Sequence, residues 1–334
     1  MREKIDFVVT WVDSNDINWQ KKMNGHLKKM GKKQLMVGEE RYHDFGFFKY
    51  WFRAVEKYAP WVNHVYVLTD QQVPYFFTQS EKVTIVDHSE FIPKEYLPTF
   101  NSNSIEMFLD KIPELSEHFV YFNDDMLLNA PVTPSDFFDE HGVPLDMAVP
   151  SVLQPVGDFD HIPFNNMIVI NREFPKNRMN FKQLLSFFSY KYGLTNLVKA
   201  AMTIPFTNWS TFKIQHVAYS LRKKDFLLLK KYANSEFRET AQASFRSSND
   251  ISIWLLLEIR FMLGEFVPRT AKLGKYHDFD TTEELIKDLN REQYKILCIN
   301  DDSENKKMDI KISESKRILA ILEKKFPKKS SVEK

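Results

Sequence analysis

A single cysteine, Cys298, in a chain of 334 residues excludes an intramolecular disulfide framework and suits a reducing compartment. The formal net charge is only +1, so no overall field favours nucleic acid, and no nucleic-acid partner is expected. No apolar run reaches the length that spans a bilayer, and residues 1–6 lack the apolar core of a signal peptide. The expectation is a cytoplasmic protein. A P-loop, a G-x-G-x-x-G fingerprint and zinc-type Cys/His spacing are all missing. Glycine is scarce, at 9 residues, whereas aromatics abound, with 29 Phe, 13 Tyr and 6 Trp. Aromatics at this level build a heavy core, and they also offer stacking surfaces for sugars or a base.

The most informative stretch is residues 119–125, FVYFNDD, an apolar run that stops on an amide and two carboxylates. Phe119 to Phe122 has the pattern of a buried strand of a parallel sheet. Asn123, Asp124 and Asp125 then fall at its carboxyl end, where open α/β sheets bind ligands. Adjacent carboxylates repel unless a cation offsets them, so the pair points to a divalent metal and a phosphorylated ligand. A solvated acidic turn is the alternative. Three further runs close on acids: residues 5–12 before Asp13, residues 64–69 before Asp70, and residues 82–86 before Asp87. Alternation of such strands with helices predicts a mostly parallel sheet flanked by helices, Rossmann-like or GT-A-like, with a rim of carboxylates.

Between the third and fourth strands, Asn101, Ser102 and Asn103 precede a helix predicted over residues 105–111. They suit capping, and equally a phosphate or sugar hydroxyls. Residues 167–170 are expected to add a strand, and residues 217–232 and 251–263 to form helices. The chain is expected to be one catalytic α/β domain over residues 1–334. It would carry a helical, aromatic-rich insertion at about 176–240 and a mobile basic tail at about 324–334. Residues 181–212 would pack into the core, shape an acceptor site or touch a membrane surface. The lysine-rich segment 19–33 is expected as a solvated helix or loop.

Phosphoryl transfer requires charge stabilisation and alignment more than covalent help from the protein. Asp124 and Asp125 are candidate metal ligands, Arg246 a candidate cation for phosphate oxygens, and His216 a candidate proton acceptor. Asp250 is a further candidate, with a competing role as the N-cap of the helix that follows it.

Residues 5–13 (IDFVVTWVD) resemble the first block of the Stealth proteins, a family of sugar-1-phosphate transferases. That family includes bacterial capsular polysaccharide phosphotransferases and the catalytic part of the lysosomal-enzyme N-acetylglucosamine-1-phosphotransferase. Residues 41–44, 49–50, 53, 56–61, 97–103, 105–106, 115–119 and 121–125 are similar to the second block. Residues 192–193, 196–197, 205 and 215–216 resemble the third, and residues 245–250 with 264–266 the fourth. Residues 326–331 and 333 resemble the closing motif of bacterial members. Phe45, Phe47 and Ala218 depart from the pattern near the sugar and acceptor regions.

The resemblance implies a nucleotide-sugar donor, most often a UDP-hexose or UDP-N-acetylhexosamine, and a polysaccharide or lipid-linked glycan acceptor. An acceptor hydroxyl would attack the β-phosphate, UMP would leave, and hexose-1-phosphate would become a phosphodiester. Asp13, Asn101, Ser102 and Asn103 would surround the donor, with Asn123 also at the ligand-binding strand end. Asp124 and Asp125 would bind Mg²⁺ (or Mn²⁺) or act on the acceptor. Arg246 would steady phosphate charge, His216 would serve as base or phosphate hydrogen-bond donor, and Arg53 and Glu106 would support them. Peripheral association with the inner membrane face goes with a lipid-linked acceptor. A GT-A-like glycosyltransferase releasing UDP and a non-catalytic glycan-binding protein are the alternatives.

Overall fold

The computed structural model describes residues 3–31, 45–300 and 307–334. Residues 41–44 of the second matched block, and Lys32 and Lys33, lie outside the described residues.

The apolar runs become parallel strands β1 (Ile5–Thr10), β2 (Val65–Thr69), β3 (Val83–Asp87) and β4 (His118–Asn123), in the order β3-β2-β1-β4. Strands covered on both faces need continuous apolar sequence. Accordingly Phe7, Val8, Val9, Val67, Val120 and Phe122 are fully buried. Helix Phe48–Tyr58, between β1 and β2, lays its aromatic stripe on one face, with the Trp51 ring 5.5 Å from that of Phe122. The fold is therefore α/β, a mostly parallel sheet flanked by helices. Because β1 is followed by β2 and β3 on one side and has β4 on the other, the strand order reverses between β1 and β4. Their carboxyl ends form the crevice where such sheets bind ligands.

The chain turns sharply after β4, at Asp124 and Asp125, into β5 (Met126–Leu128), which belongs to a second sheet. Short pairs follow: β6 (Leu145–Asp146), β7 (Val149–Ser151) and β8 (Thr211–Lys213), the last antiparallel to β7. β9 (Tyr219–Arg222) then returns to the main sheet antiparallel to β4. β10 (Val267–Pro268) pairs with β6, and β11 (Gly274–Asp278) lies parallel to β12 (Ile296–Asn300). β12 runs antiparallel to β5, and the Ile299 N–H donates to the Asp125 carbonyl at 2.7 Å. Asp125 thus stands at the seam of the two sheets.

Several expectations are corrected. Residues 167–170 lie in helix His161–Glu173, not in a strand; Met167, Val169 and Ile170 face the core while Ile168 faces out. Residues 217–232 divide into β9 and helix Phe226–Tyr232, and residues 105–111 into helix Ser102–Glu106 and the short 3₁₀ turn Leu109–Lys111. The span 176–240 contains β8 and β9 as well as helices. Since β9 is a member of the main sheet, that span is not a helical insertion from end to end. Helix Ile17–Met30 is not merely solvated, for it buries Trp19, Met23 and Leu27.

The basic tail is docked rather than mobile. Phe326 and Val332 are buried, and the Thr78 and Lys334 amides bond the Val332 and Phe76 carbonyls. Arg53 donates from Nε to Glu333 Oε1 at 2.8 Å and from Nη2 to Oε2 at 2.6 Å. It also bonds the Phe326 carbonyl at 2.8 Å. Both side chains of the Arg53–Glu333 pair are at most 5% exposed. Glu333→Ala would leave the buried guanidinium with the longer 3.3 Å contact to Glu323 and the Phe326 carbonyl, so urea unfolding of that variant should show a loss of about 3 kcal/mol.

Candidate functional site

A cavity of about 520 Å³ opens over the carboxyl ends of β1, β2 and β4. Thr10, Asp70 and Asn123 enter it from those strand ends, and Asp124 and Asp125 from the turn. His216 reaches it from just before β9, Ser102, Asn103 and Glu106 from helix Ser102–Glu106, and Arg246 from the loop ahead of helix Ile253–Leu263. Asp125, His216 and Arg246, distant in sequence, line one space.

Asp125 is held by several side chains. Its Oδ2 accepts from Asn300 Nδ2 at 2.8 Å and from Cys298 Sγ at 3.1 Å, and His216 Nε2 lies 3.4 Å away. Burial pushes this carboxyl up. The His216 charge and the hydrogen bonds from His216, Cys298 and Asn300 together outweigh burial and hold it below the ordinary carboxylate value. Asp125 Oδ1 is buried without a hydrogen-bond partner among the described residues. The His216 ring is held from behind: Tyr219 Oη lies 3.4 Å from Nδ1 and itself accepts from Trp254 Nε1 at 2.8 Å. Because Tyr219 takes the indole proton, its own phenol proton can go to Nδ1 when the ring is neutral, which leaves Nε2–H facing Asp125.

Arg246 donates from Nη2 to Ser102 Oγ at 3.0 Å, and its guanidinium lies 4.5 Å from the centre of the Phe159 ring. A planar cation fixed between a hydroxyl and an aromatic face is preorganised for phosphate oxygens. Glu106 lies on the floor, where it accepts from the Tyr121 hydroxyl and the Ile253 amide, both at 3.3 Å. Burial pushes its carboxyl up to about 7, against the Ile253 and Tyr121 hydrogen bonds and the charges of Arg246 and His216. The folded protein therefore holds a proton on Glu106 that the unfolded chain releases near pH 4.5. Stability must fall as pH rises from there to about 7, by roughly 3 kcal/mol for this shift. Unfolding in urea at a series of pH values should show that slope, and Glu106→Gln should flatten it.

Other expected residues are placed differently. Asp250 is buried and sends Oδ2 to Asn101 Nδ2 (2.9 Å), Asn103 Nδ2 (3.2 Å) and the Ser247 amide (3.0 Å). It ties the Arg246 loop to the Ser102 helix. The N-cap role expected of it belongs to Ser252, which bonds the Trp254 amide. Asn101, fully buried, caps the Ser102 helix and stands behind the cavity wall. Asp13 closes a turn on the Asn15 amide and is backbone-bonded to Gln72, at the edge rather than in the lining. Arg53 serves the tail. Of the expected rim of acids, Asp70, Asp124 and Asp125 line the cavity, whereas Asp87 caps the short helix His88–Phe91.

Sequence reasoning missed His88, Cys298, Asn300 and the Lys22–Asp70 ion pair. Asp70 had a signal, as the acid closing β2. His88 is pushed by burial to about 4 and is therefore neutral at physiological pH. Cys298 and Asn300 come from β12, and nothing local in the sequence announces its pairing with β5. With Asp125 and His216, Cys298 forms the group of potential metal ligands found among the described residues, their ligand atoms within 4.8 Å of one another. Exposed Asp124 does not join that group.

Comparison with known proteins agrees with this reading. Residues 41–146 match the family model described as Stealth protein CR2, conserved region 2. The exopolysaccharide phosphotransferase cps2G of Lactiplantibacillus plantarum is 40% identical over 99% of this chain and 96% of its own. The chain belongs to the Stealth family. This Stealth chain is a transferase of phosphorus-containing groups. It is also 40% identical to a capsular polysaccharide phosphotransferase WcwK of Streptococcus pneumoniae, over 99% of this chain and 98% of that one. The receptor polysaccharide phosphotransferase WefC of Streptococcus gordonii is 40% identical over 90% of this chain and 91% of its own. Among solved structures, the galactosyltransferase LgtC aligns over 95% of both chains at 10% identity with a TM-score of 0.39, too loose a likeness to carry an argument about chemistry.

Proposed function

We propose that this Stealth protein is a capsular or exopolysaccharide phosphotransferase that moves hexose-1-phosphate or N-acetylhexosamine-1-phosphate from a UDP-sugar to a hydroxyl of a growing glycan. The observation that carries this reading is the shared cavity of Asp125, His216 and Arg246 at the strand-order reversal. The acceptor oxygen bonds to the β-phosphorus, the bond from that phosphorus to the oxygen bridging the two phosphates breaks, and UMP leaves with the electron pair. The anomeric C–O bond stays intact. The acceptor's proton passes to the Asp125–His216 pair, in which Asp125 Oδ1 has no hydrogen-bond partner among the described residues. Arg246 binds the non-bridging phosphate oxygens. Asn123, Ser102 and Asn103 present polar groups to the donor. Trp11, Phe45, Phe47 and Phe100 give the uracil and sugar rings apolar faces to stack on.

A divalent cation fits this arrangement. Mg²⁺ takes oxygen ligands and is commonly held by one or two carboxylates together with substrate phosphates. Asp124 and the unpartnered Oδ1 of Asp125 offer such oxygens, whereas Cys298 and His216 suit a softer ion. When bound, Mg²⁺ would neutralise charge on the diphosphate. EDTA should abolish turnover, and Mg²⁺ or Mn²⁺ should restore it better than Zn²⁺; full activity in EDTA would remove the metal from the scheme. The test of the reaction itself is the nucleotide product from a panel of UDP-sugars with capsule oligosaccharides. UMP is expected, and stoichiometric UDP would mean glycosyl transfer instead. A nucleotide-sugar donor goes with action in the cytoplasm.

A further inference from the structure

Between β7 and β9 the chain exposes apolar side chains in a regular arrangement. Helix Leu194–Met202 buries Asn196 and Ala200 but exposes Leu194, Val198 and Met202, each four residues after the last. Residues so spaced share one face of a helix. Leu194 is 79% exposed and Met202 65%. Ile204 and Phe206 extend the strip past the helix end, and helix Phe181–Ser186 exposes Phe181 and Leu185, again four apart. On the outer side of helix His161–Glu173, Phe164 and Ile168 repeat the pattern.

These pieces are fastened, not frayed. Lys176 Nζ donates to the Thr203 and Phe206 carbonyls at 2.7 and 2.9 Å, and Asn171 exchanges two 2.8 Å bonds with the backbone of Trp209. No helix of the described residues is long and apolar enough to cross a membrane.

Charge identifies the occupant. No Asp or Glu occurs between Glu173 and Asp225. Within that stretch Arg178, Lys191 and Lys199 are exposed, on the same run of chain as the exposed apolar residues. Apolar side chains flanked by cations of one sign match the boundary between anionic headgroups and acyl chains, with the cations on lipid phosphates. A second copy of the chain would bring like charges face to face, which opposes self-association.

We propose that this face, built from residues 181–206, rests on an anionic lipid bilayer, with Leu194, Val198, Met202 and their neighbours in the interfacial layer. This inference goes beyond the phosphotransfer reading, and its vesicle-binding test needs no donor.

Full-length protein is floated with vesicles of phosphatidylcholine and phosphatidylglycerol in equal parts, and with phosphatidylcholine alone. Binding is expected to the mixed vesicles only. A variant with Leu194→Ser, Val198→Ser and Met202→Ser, and another with Lys191→Glu and Lys199→Glu, should each bind at least about tenfold more weakly. Both should keep wild-type unfolding temperature and wild-type turnover on a soluble acceptor. Absence of wild-type binding, equal binding by wild type and variants, or equal binding to neutral vesicles would overturn the proposal. So would concentration-dependent dimerisation without lipid that the Leu194, Val198 and Met202 substitutions abolish, since the face would then belong to a second copy.

Discussion

Asp125→Asn lowers phosphotransfer by about three orders of magnitude while leaving the unfolding transition in place, as removal of a positioned proton-transfer group generally does. The size of the side chain is kept, and so is the backbone bond from the Ile299 amide to residue 125 that anchors the turn to β12. What disappears is the charge, together with acceptor capacity. Cys298, Asn300 and His216 all approach Oδ2. An amide there offers one oxygen and one NH₂, so the substituted group either confronts those donors with its own protons or turns its oxygen away from the acceptor hydroxyl. Circular dichroism and thermal unfolding separate this outcome from misfolding. Near-normal turnover in a folded Asp125→Asn protein would remove Asp125 from the chemistry.

His216→Ala should cost turnover a factor of about 10² to 10⁴, with the donor's KM changed far less. The ring lies between Asp125 and Tyr219 and makes edge contacts with Trp254 and Tyr276, with ring centres 6.5 and 6.1 Å away. It is only partly buried, so its loss leaves a solvent-accessible gap rather than an empty core cavity. His216→Gln restores a polar side chain but not a proton carrier. Equal defects in Ala and Gln variants support proton transfer. Substantial rescue by Gln would reduce His216 to a hydrogen-bond donor for phosphate.

The strands were legible because parallel strands buried on both faces carry uninterrupted apolar sequence, as in residues 5–10 and 118–122. For the same reason Asn123, Asp124 and Asp125 could be placed at a strand end before any partner was known. The same rule failed at residues 167–170, where a short apolar run fits a strand and a buried helix face equally well. Cys298 and Asn300 were hidden because an antiparallel pairing of β12 with β5 leaves no local signature. Arg53 and Asp250 bear charges that looked fit for substrate. The fold instead spends them internally, on Glu333 and on Asn101 with Asn103. Polar residue type alone does not reveal whether a partner comes from the protein or from a ligand.

Fate of the anomeric oxygen tests the central claim most directly. A UDP-sugar carrying ¹⁸O between the sugar C1 and the β-phosphorus is incubated with the protein and an oligosaccharide acceptor, and the products are weighed by mass spectrometry. Attack on phosphorus at the Asp125–His216–Arg246 cavity predicts that all of the label enters the glycan, within a new phosphodiester, with unlabelled UMP as the other product. Label recovered in UDP, with no phosphorus gained by the glycan, would contradict it.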